Sequence, residues 1–163
     1  MHPTDLTVAA VIERDGKFLL VEKGSPGATV FTQPDGHIQS GESPEDACAR
    51  AVLEDTGCEV AIRELLGVYL WIHPQSRRQF LRIVYLCVLL REDPTHEPND
   101  GVHAVRWYDK SDIARRRRNL RTPVVTRCID DYLDGTRLPS SILAGAMPIQ
   151  QRVADVLANA SLV

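Results

Sequence analysis

Residues Leu6 to Arg14 put apolar side chains on both faces of an extended chain: Thr7, Ala9 and Val11 alternate with Val8, Ala10 and Ile12. Successive side chains of a strand point to opposite faces. A strand apolar on both therefore belongs at the centre of a sheet covered on each side by helices. Asp15-Gly16 is a hairpin signal, and Lys17 to Glu22 returns as a second strand. Gly24 to Thr29 reads as a loop rich in small residues. In Phe31 to His37, Pro34 and Gly36 mark a sharp turn whose backbone can approach a ligand closely. Asp35 is read as a capping or turn residue without chemistry, and His37 as either a phosphate or base contact or a loop histidine bonded to backbone.

The next stretch feeds a single helix. Ser43 is a good N-cap and Pro44 fits the first helical position, where a missing N–H costs nothing. Glu45 and Asp46 favour the positive end of the helix dipole, and Gly57 suits the left-handed residue that closes such a helix. The helix is expected over Pro44 to Thr56, about three turns. A helical wheel puts Cys48, Ala49, Val52 and Leu53 on an apolar half. It puts Ala47, Arg50, Ala51, Glu54 and Asp55 on the other, with Glu42 in the preceding loop able to fold back over it. Hard divalent cations take carboxylate oxygens and are shared with substrate phosphates. Glu42, Glu54 and Asp55 suit that purpose, with Arg50 orienting Glu54 or touching a phosphate. On spacing alone a solvated amphipathic helix fits equally well.

The 23 positions from Gly36 to Cys58 resemble the Nudix box: glycine, five residues, glutamate, seven residues, then Arg-Glu-aliphatic-x-Glu-Glu-x-Gly-aliphatic. Gly36, Glu42, Arg50, Val52, Glu54 and Gly57 match it, Cys58 matches loosely, and Asp55 replaces the second glutamate of the final pair. Ala51 departs, since the family has glutamate there, often as a metal ligand or the base that activates water. Gln39 also stands where relatives often carry glutamate. Shorter segments (Thr7-Val8-Ala9, Gln33-Pro34, Gly36-His37, Trp71-Ile72, Phe80-Leu81-Arg82, Arg106-Trp107 and Asn119-Leu120-Arg121 before Pro123) resemble one bacterial branch of the family. That branch comprises phosphatases acting on nucleoside tri- and diphosphates and on the pyrophosphate of the thiamine pyrimidine precursor.

The resemblance implies an α/β/α sandwich with a mixed β-sheet. It implies Mg²⁺ or Mn²⁺ held by Glu42, Glu54 and Asp55, and catalysis resting on Glu54, Arg50 and a loop acid such as Glu97. With Ala51 in place of the family glutamate, the expected activity is hydrolysis at reduced turnover. Two alternatives stay open: a pyrophosphohydrolase for nucleotide sugars or dinucleotides, and a module that binds a nucleotide while cleaving it weakly.

Downstream, Glu59 to His73 and Gln79 to Leu90 have strand character, with Pro74 to Arg78 as the hairpin loop. Trp71, Phe80 and Tyr69 are either an aromatic platform for a substrate ring or simply core. Arg78 and Arg82 are cations able to meet a polyphosphate. With His37 and Gly36 they complete the candidate substrate contacts. Glu92 to Gly101 is an acidic loop offering Glu97 and Asp100, and Ala104 to Tyr108 is a short strand. Ser111 is expected to cap a helix over Asp112 to Arg118. Arg115 to Arg118 with Arg121 form a basic run, either a solvated face or a phosphate-attracting rim. Two more helices are expected, about 122–134 behind Thr122 and about 149–158.

A chain of 163 residues suits one domain spanning 1–163. Nineteen basic against twenty-two acidic residues give a net charge of −3, which argues against general nucleic-acid binding. Four cysteines without metal-type spacing, no apolar span and no signal core are read as a cytoplasmic protein with free thiols, monomeric or homodimeric.

Overall fold

The computed structural model describes residues 3–25 and 27–146. Strands β1 (Thr4–Arg14), β2 (Lys17–Ser25), β3 (Ala28–Thr32) and β4 (Asp35–His37) precede helix α1 (Pro44–Thr56). Strands β5 (Cys58–Ile72), β6 (Gln79–Glu92) and β7 (Val102–Asp109) follow, then helices α2 (Lys110–Arg115) and α3 (Val124–Leu133). The helix expected at 149–158 lies outside the described residues. Among those residues, no helix is long and apolar enough to cross a membrane.

The strands form one seven-stranded mixed sheet. β1 is central: it runs parallel to β6 from Thr4↔Gln79 to Ile12↔Cys87 and antiparallel to β2 and β4. Its alternation divides the core as the sequence requires. Val8, Ala10 and Ile12 pack with Ala47, Cys48 and Val52 of α1. Ala9 and Val11 pack on the opposite face with Ile113 of α2 and Val125, Cys128 and Ile129 of α3. Burying each large aliphatic side chain is worth about 1.5–3 kcal/mol, so the two-faced strand commits the chain to three layers.

α1 begins and ends where its capping residues dictate. Ser43 accepts the Asp46 N–H at 3.1 Å, and Gly57 takes φ 70 while its N–H bonds the Leu53 carbonyl. Its buried face differs from the wheel expectation, however. Ala47, Ala51 and Asp55 are buried, whereas Leu53 is 41% exposed. The 47–51–55 row, one residue per turn, docks on β4: a Cβ on Gly36 would lie 2.9 Å from the Ala51 Cβ. Two small residues face each other there, and the helix rotates its acid inward.

Strands β3 and β4 occupy what reads in sequence as loop and turn. Both exist through pairing with distant partners, β3 with β2 and β4 with β1. At α2 the cap is Asp109, whose carboxylate accepts the Asp112 N–H at 2.7 Å, and the expected cap Ser111 instead donates to Asp109. Thr122 accepts the Val124 N–H at 2.8 Å as α3 begins.

Candidate active site

The strand ends of the sheet, β4, α1 and the acidic loop after β6 enclose a cavity of about 720 Å³. That volume suits a nucleotide-sized ligand. Arg50, Ala51, Glu54 and Asp55 of α1 line it, with Gly36 and His37 from β4 and Trp71, Phe80 and Arg82 from β5 and β6. Glu97 and Asp100 from the loop, Arg121 ahead of α3, Lys23 of β2 and Asp35 of β4 complete the charged lining.

The loop is tied to the end of α1. The backbone N–H of Asn99 donates to the Glu54 carbonyl at 3.1 Å, His96 Nε2 meets the same oxygen at 2.9 Å, and the Asp93 N–H reaches the Gly57 carbonyl at 3.0 Å. Any Cβ at position 57 would fall 2.5 Å from the His96 Cβ. Gly57 therefore serves two needs, a left-handed backbone and room for the loop. This anchoring holds the loop that carries Glu97 and Asp100 against the end of α1, and both acids line the same cavity as Glu54.

The floor is a chain of alternating charges. Arg82 donates to Asp35, whose Oδ2 also accepts from Thr32 Oγ1 at 3.1 Å. Lys23 Nζ lies 3.4 Å from Asp35 Oδ1 and 3.0 Å from Asp55 Oδ2, and Asn99 Nδ2 reaches Asp55 Oδ1 at 3.4 Å. Burial alone would raise the Asp35 pKa, but Arg82, Lys23 and Arg121 outweigh it and hold the carboxyl below its ordinary range. Arg82 Nη1 is buried without a hydrogen-bond partner among the described residues.

The rim is a second network. Arg50 grips Glu42 through two bonds, Nε to Oε1 at 2.7 Å and Nη2 to Oε2 at 2.9 Å, while Nη1 reaches Glu54 Oε2 at 3.0 Å and Nη2 the His37 carbonyl at 2.9 Å. The Gln39 N–H also donates to Glu42, at 3.0 Å. Those bonds, above all Arg50's, outweigh desolvation and lower the Glu42 pKa.

The three acids of the expected metal set are held apart by their ion-pair partners. Glu42 is turned into the loop by Arg50 and does not line the cavity, and Asp55, its side chain 4% exposed, is taken by Lys23. Among the described residues no group of three His, Cys, Asp or Glu is placed to hold a metal ion. A preformed cage of carboxylates 42, 54 and 55 therefore does not fit. An ion sharing its coordination with substrate phosphates needs only one or two carboxylates. Glu54 fits that role: its side chain is 43% exposed and, among the described residues, only Oε2 is engaged. Glu97 and Asp100 line the same cavity and form no ion pair among the described residues.

Of the expected substrate contacts, Trp71 and Phe80 stack with centroids 5.4 Å apart and line the cavity, together with Arg82, His37 and Gly36. Tyr69 instead packs in the core and donates to Asp131 at 2.8 Å. Arg78 is drawn away by Asp5, at 2.8 Å, and lies outside the lining. Sequence reasoning missed Lys23 and Asp35. Lys23 gives no local signal, and Asp35 sits in a turn-like Pro-Asp-Gly where an acid is ordinary. All four cysteines are free and buried, and burial pushes the Cys128 thiol up to about 12.

A family model for the NUDIX domain matches residues 3–128. Phosphatase NudJ of Escherichia coli (strain K12) is 32% identical over 143 residues, covering 88% of this chain and 92% of that protein. The solved NUDIX hydrolase from Nitrosomonas europaea superposes with a TM-score of 0.83 at 35% identity, over 92% of this chain and 98% of that one. The MutT NUDIX hydrolase from Burkholderia pseudomallei gives 0.67 at 26% identity, over 80% and 98%.

Proposed function

The chain belongs to the NUDIX family of hydrolases, acting on phosphoric anhydrides, and from that premise we propose that its substrate is a nucleoside di- or triphosphate or a related small-molecule diphosphate. One observation carries this reading. Glu54, held by Arg50 through a single oxygen, opens onto the same cavity as Arg82, Arg121 and the Trp71–Phe80 pair. The aromatic pair suits a flat heterocycle, the arginines suit phosphate, and the acid suits water.

In the reaction, water attacks phosphorus, a new P–O bond forms, and the anhydride P–O bond breaks with its electron pair on the leaving phosphate. Glu54 takes the proton from the attacking water, with Glu97 from the loop as the second acid in reach of the cavity. Arg50 fixes the direction of the Glu54 carboxylate. Arg82 and Arg121 offset charge on the phosphate oxygens, so the protein's share is positioning and electrostatics rather than covalent chemistry. Glu54 would hold a Mg²⁺ or Mn²⁺ ion at the cavity, which would supply further neutralisation of phosphate charge.

Ala51 leaves the helix one acid short, which favours a second reading, nucleotide binding with weak cleavage. A panel of nucleotides and pyrophosphates with Mg²⁺ or Mn²⁺ separates the two. Release of orthophosphate supports the phosphatase, release of a nucleoside monophosphate a pyrophosphohydrolase, and binding without product the module. On the productive substrate, Glu54→Ala is expected to lower turnover about 10²–10⁴-fold, and Ala51→Glu to match or exceed wild type. Full divalent-dependent activity in Glu54→Ala overturns the assignment.

A further inference from the structure

The floor of the cavity already holds a cation. Lys23 Nζ lies between carboxylates from two other elements, Asp35 on β4 and Asp55 on α1. The register between β2 and β7 slips between Glu22 and Lys23. A bulge of this kind re-aims a side chain, and here the re-aimed chain is the lysine. Its side chain is 21% exposed and lines the cavity. Asp35 and Asp55 carry two negative charges, Arg82 and Lys23 two positive ones, so the floor is electrically balanced without any ion from solution. Ala51, where the resemblance calls for an acid, sits against Gly36 beside this network.

We propose that Lys23 is a resident cation: its ammonium occupies the position between Asp35 and Asp55 that a divalent ion would otherwise take, so metal is bound through Glu54 and not through Asp55. With alanine at 51 and an ammonium at 23, this part of the cavity carries one acid fewer than the resemblance calls for and holds its own positive charge. An ammonium is a compact point charge on a flexible stem and suits two carboxylates at 3.0 and 3.4 Å. Being covalently tethered, it is present before substrate arrives and neutralises the floor at any metal concentration. Lys23 is on this account a positioning residue, which keeps Asp55 inward and leaves Glu54 as the helix acid facing water.

The inference rests on the cavity being the phosphate site proposed above, and metal binding to the substrate-free full-length chain tests it apart from activity. The probe is Mn²⁺, titrated and followed by the electron paramagnetic resonance of the free ion. Asp55→Asn, nearly isosteric, is expected to leave Mn²⁺ affinity within about twofold of wild type, whereas Glu54→Gln weakens it about tenfold or more. Lys23→Met is expected to gain a Mn²⁺ ion per chain, or to bind it about tenfold tighter, and Lys23→Arg to behave as wild type. In Lys23→Met, adding Asp55→Asn abolishes the gain. Asp55→Asn weakening Mn²⁺ as much as Glu54→Gln overturns the proposal, as does a folded Lys23→Met whose titration superimposes on wild type. If Glu54→Gln leaves Mn²⁺ binding unchanged while Lys23→Met gains an ion, the metal part of the functional reading fails and the resident cation stands.

Discussion

Two charge networks flank α1, and they are built differently. The floor, Arg82–Asp35–Lys23–Asp55, pairs two cations with two acids, and the Arg82 and Asp35 side chains are only 10% exposed. The rim, Glu42–Arg50–Glu54, has one cation for two acids and opens progressively to solvent toward Glu54. Charge is balanced where water is excluded, and an unmatched negative charge is left where water reaches. A buried unpaired charge is far more costly than an exposed one, which explains the arrangement. The surplus charge lies on the acid suited to activate water. On the proposed reading the floor chiefly holds the fold, with Arg82 also meeting phosphate, while the rim aims the acid that takes the proton from water.

Arg82→Met gives the largest effect on that contrast. It removes from Asp35 its buried arginine partner and leaves Lys23 and the Thr32 hydroxyl, and breaking a buried pair from one side costs about 3–5 kcal/mol. Urea unfolding reads this as a lower midpoint with an unchanged slope. A loss below about 1 kcal/mol is the range of an exposed pair and would place the floor in solvent, removing the distinction.

Acid sharpens the same contrast. Asp35 has a folded-state pKa below its unfolded value, ordinarily near 3.9. Its contribution to stability is therefore complete above about pH 5 and is lost as pH falls through the unfolded value toward the folded one. Glu42 titrates in the same direction, since Arg50 lowers it too. Stability measured from neutral pH downward is expected to fall in that window, and Glu42→Gln to make the fall shallower. An acid limb identical in Glu42→Gln would show that Arg50's grip on the loop does not persist in solution.

How far this was legible from sequence depended on distance along the chain. Ser43 and Gly57 act within one turn of where they stand, so both ends of α1 could be read directly. The two-faced pattern of Val8 to Ile12 likewise announced helices on both sides. The floor could not be read in that way. Lys23, Asp35 and Asp55 meet only after β2, β4 and α1 have packed, and nothing local marks a lysine on a bulge. The wheel placed Asp55 on the half opposite the apolar one, as a metal ligand or a solvated acid. Its burial follows from a partner 32 residues away. Arg78 misled for the same reason, because Asp5, 73 residues distant, claims it.

Arg50→Lys is the mildest change and tests the rim alone. It keeps the positive charge but replaces a planar fork by a point charge. The paired bonds to Glu42 and the bond to the His37 carbonyl cannot all be remade by one ammonium. Because the network is partly solvated, the expected stability loss is only about 1 kcal/mol. Turnover should suffer more than stability, since Glu54 loses the guanidinium that aims its carboxylate. The informative measurement is kcat beside the thermal midpoint in the same preparation. A fall in kcat of about tenfold with a shift of a few degrees assigns Arg50 to positioning. A large drop in the midpoint with proportionate activity loss would make the rim as structural as the floor, and the two sides of the helix would no longer differ in kind.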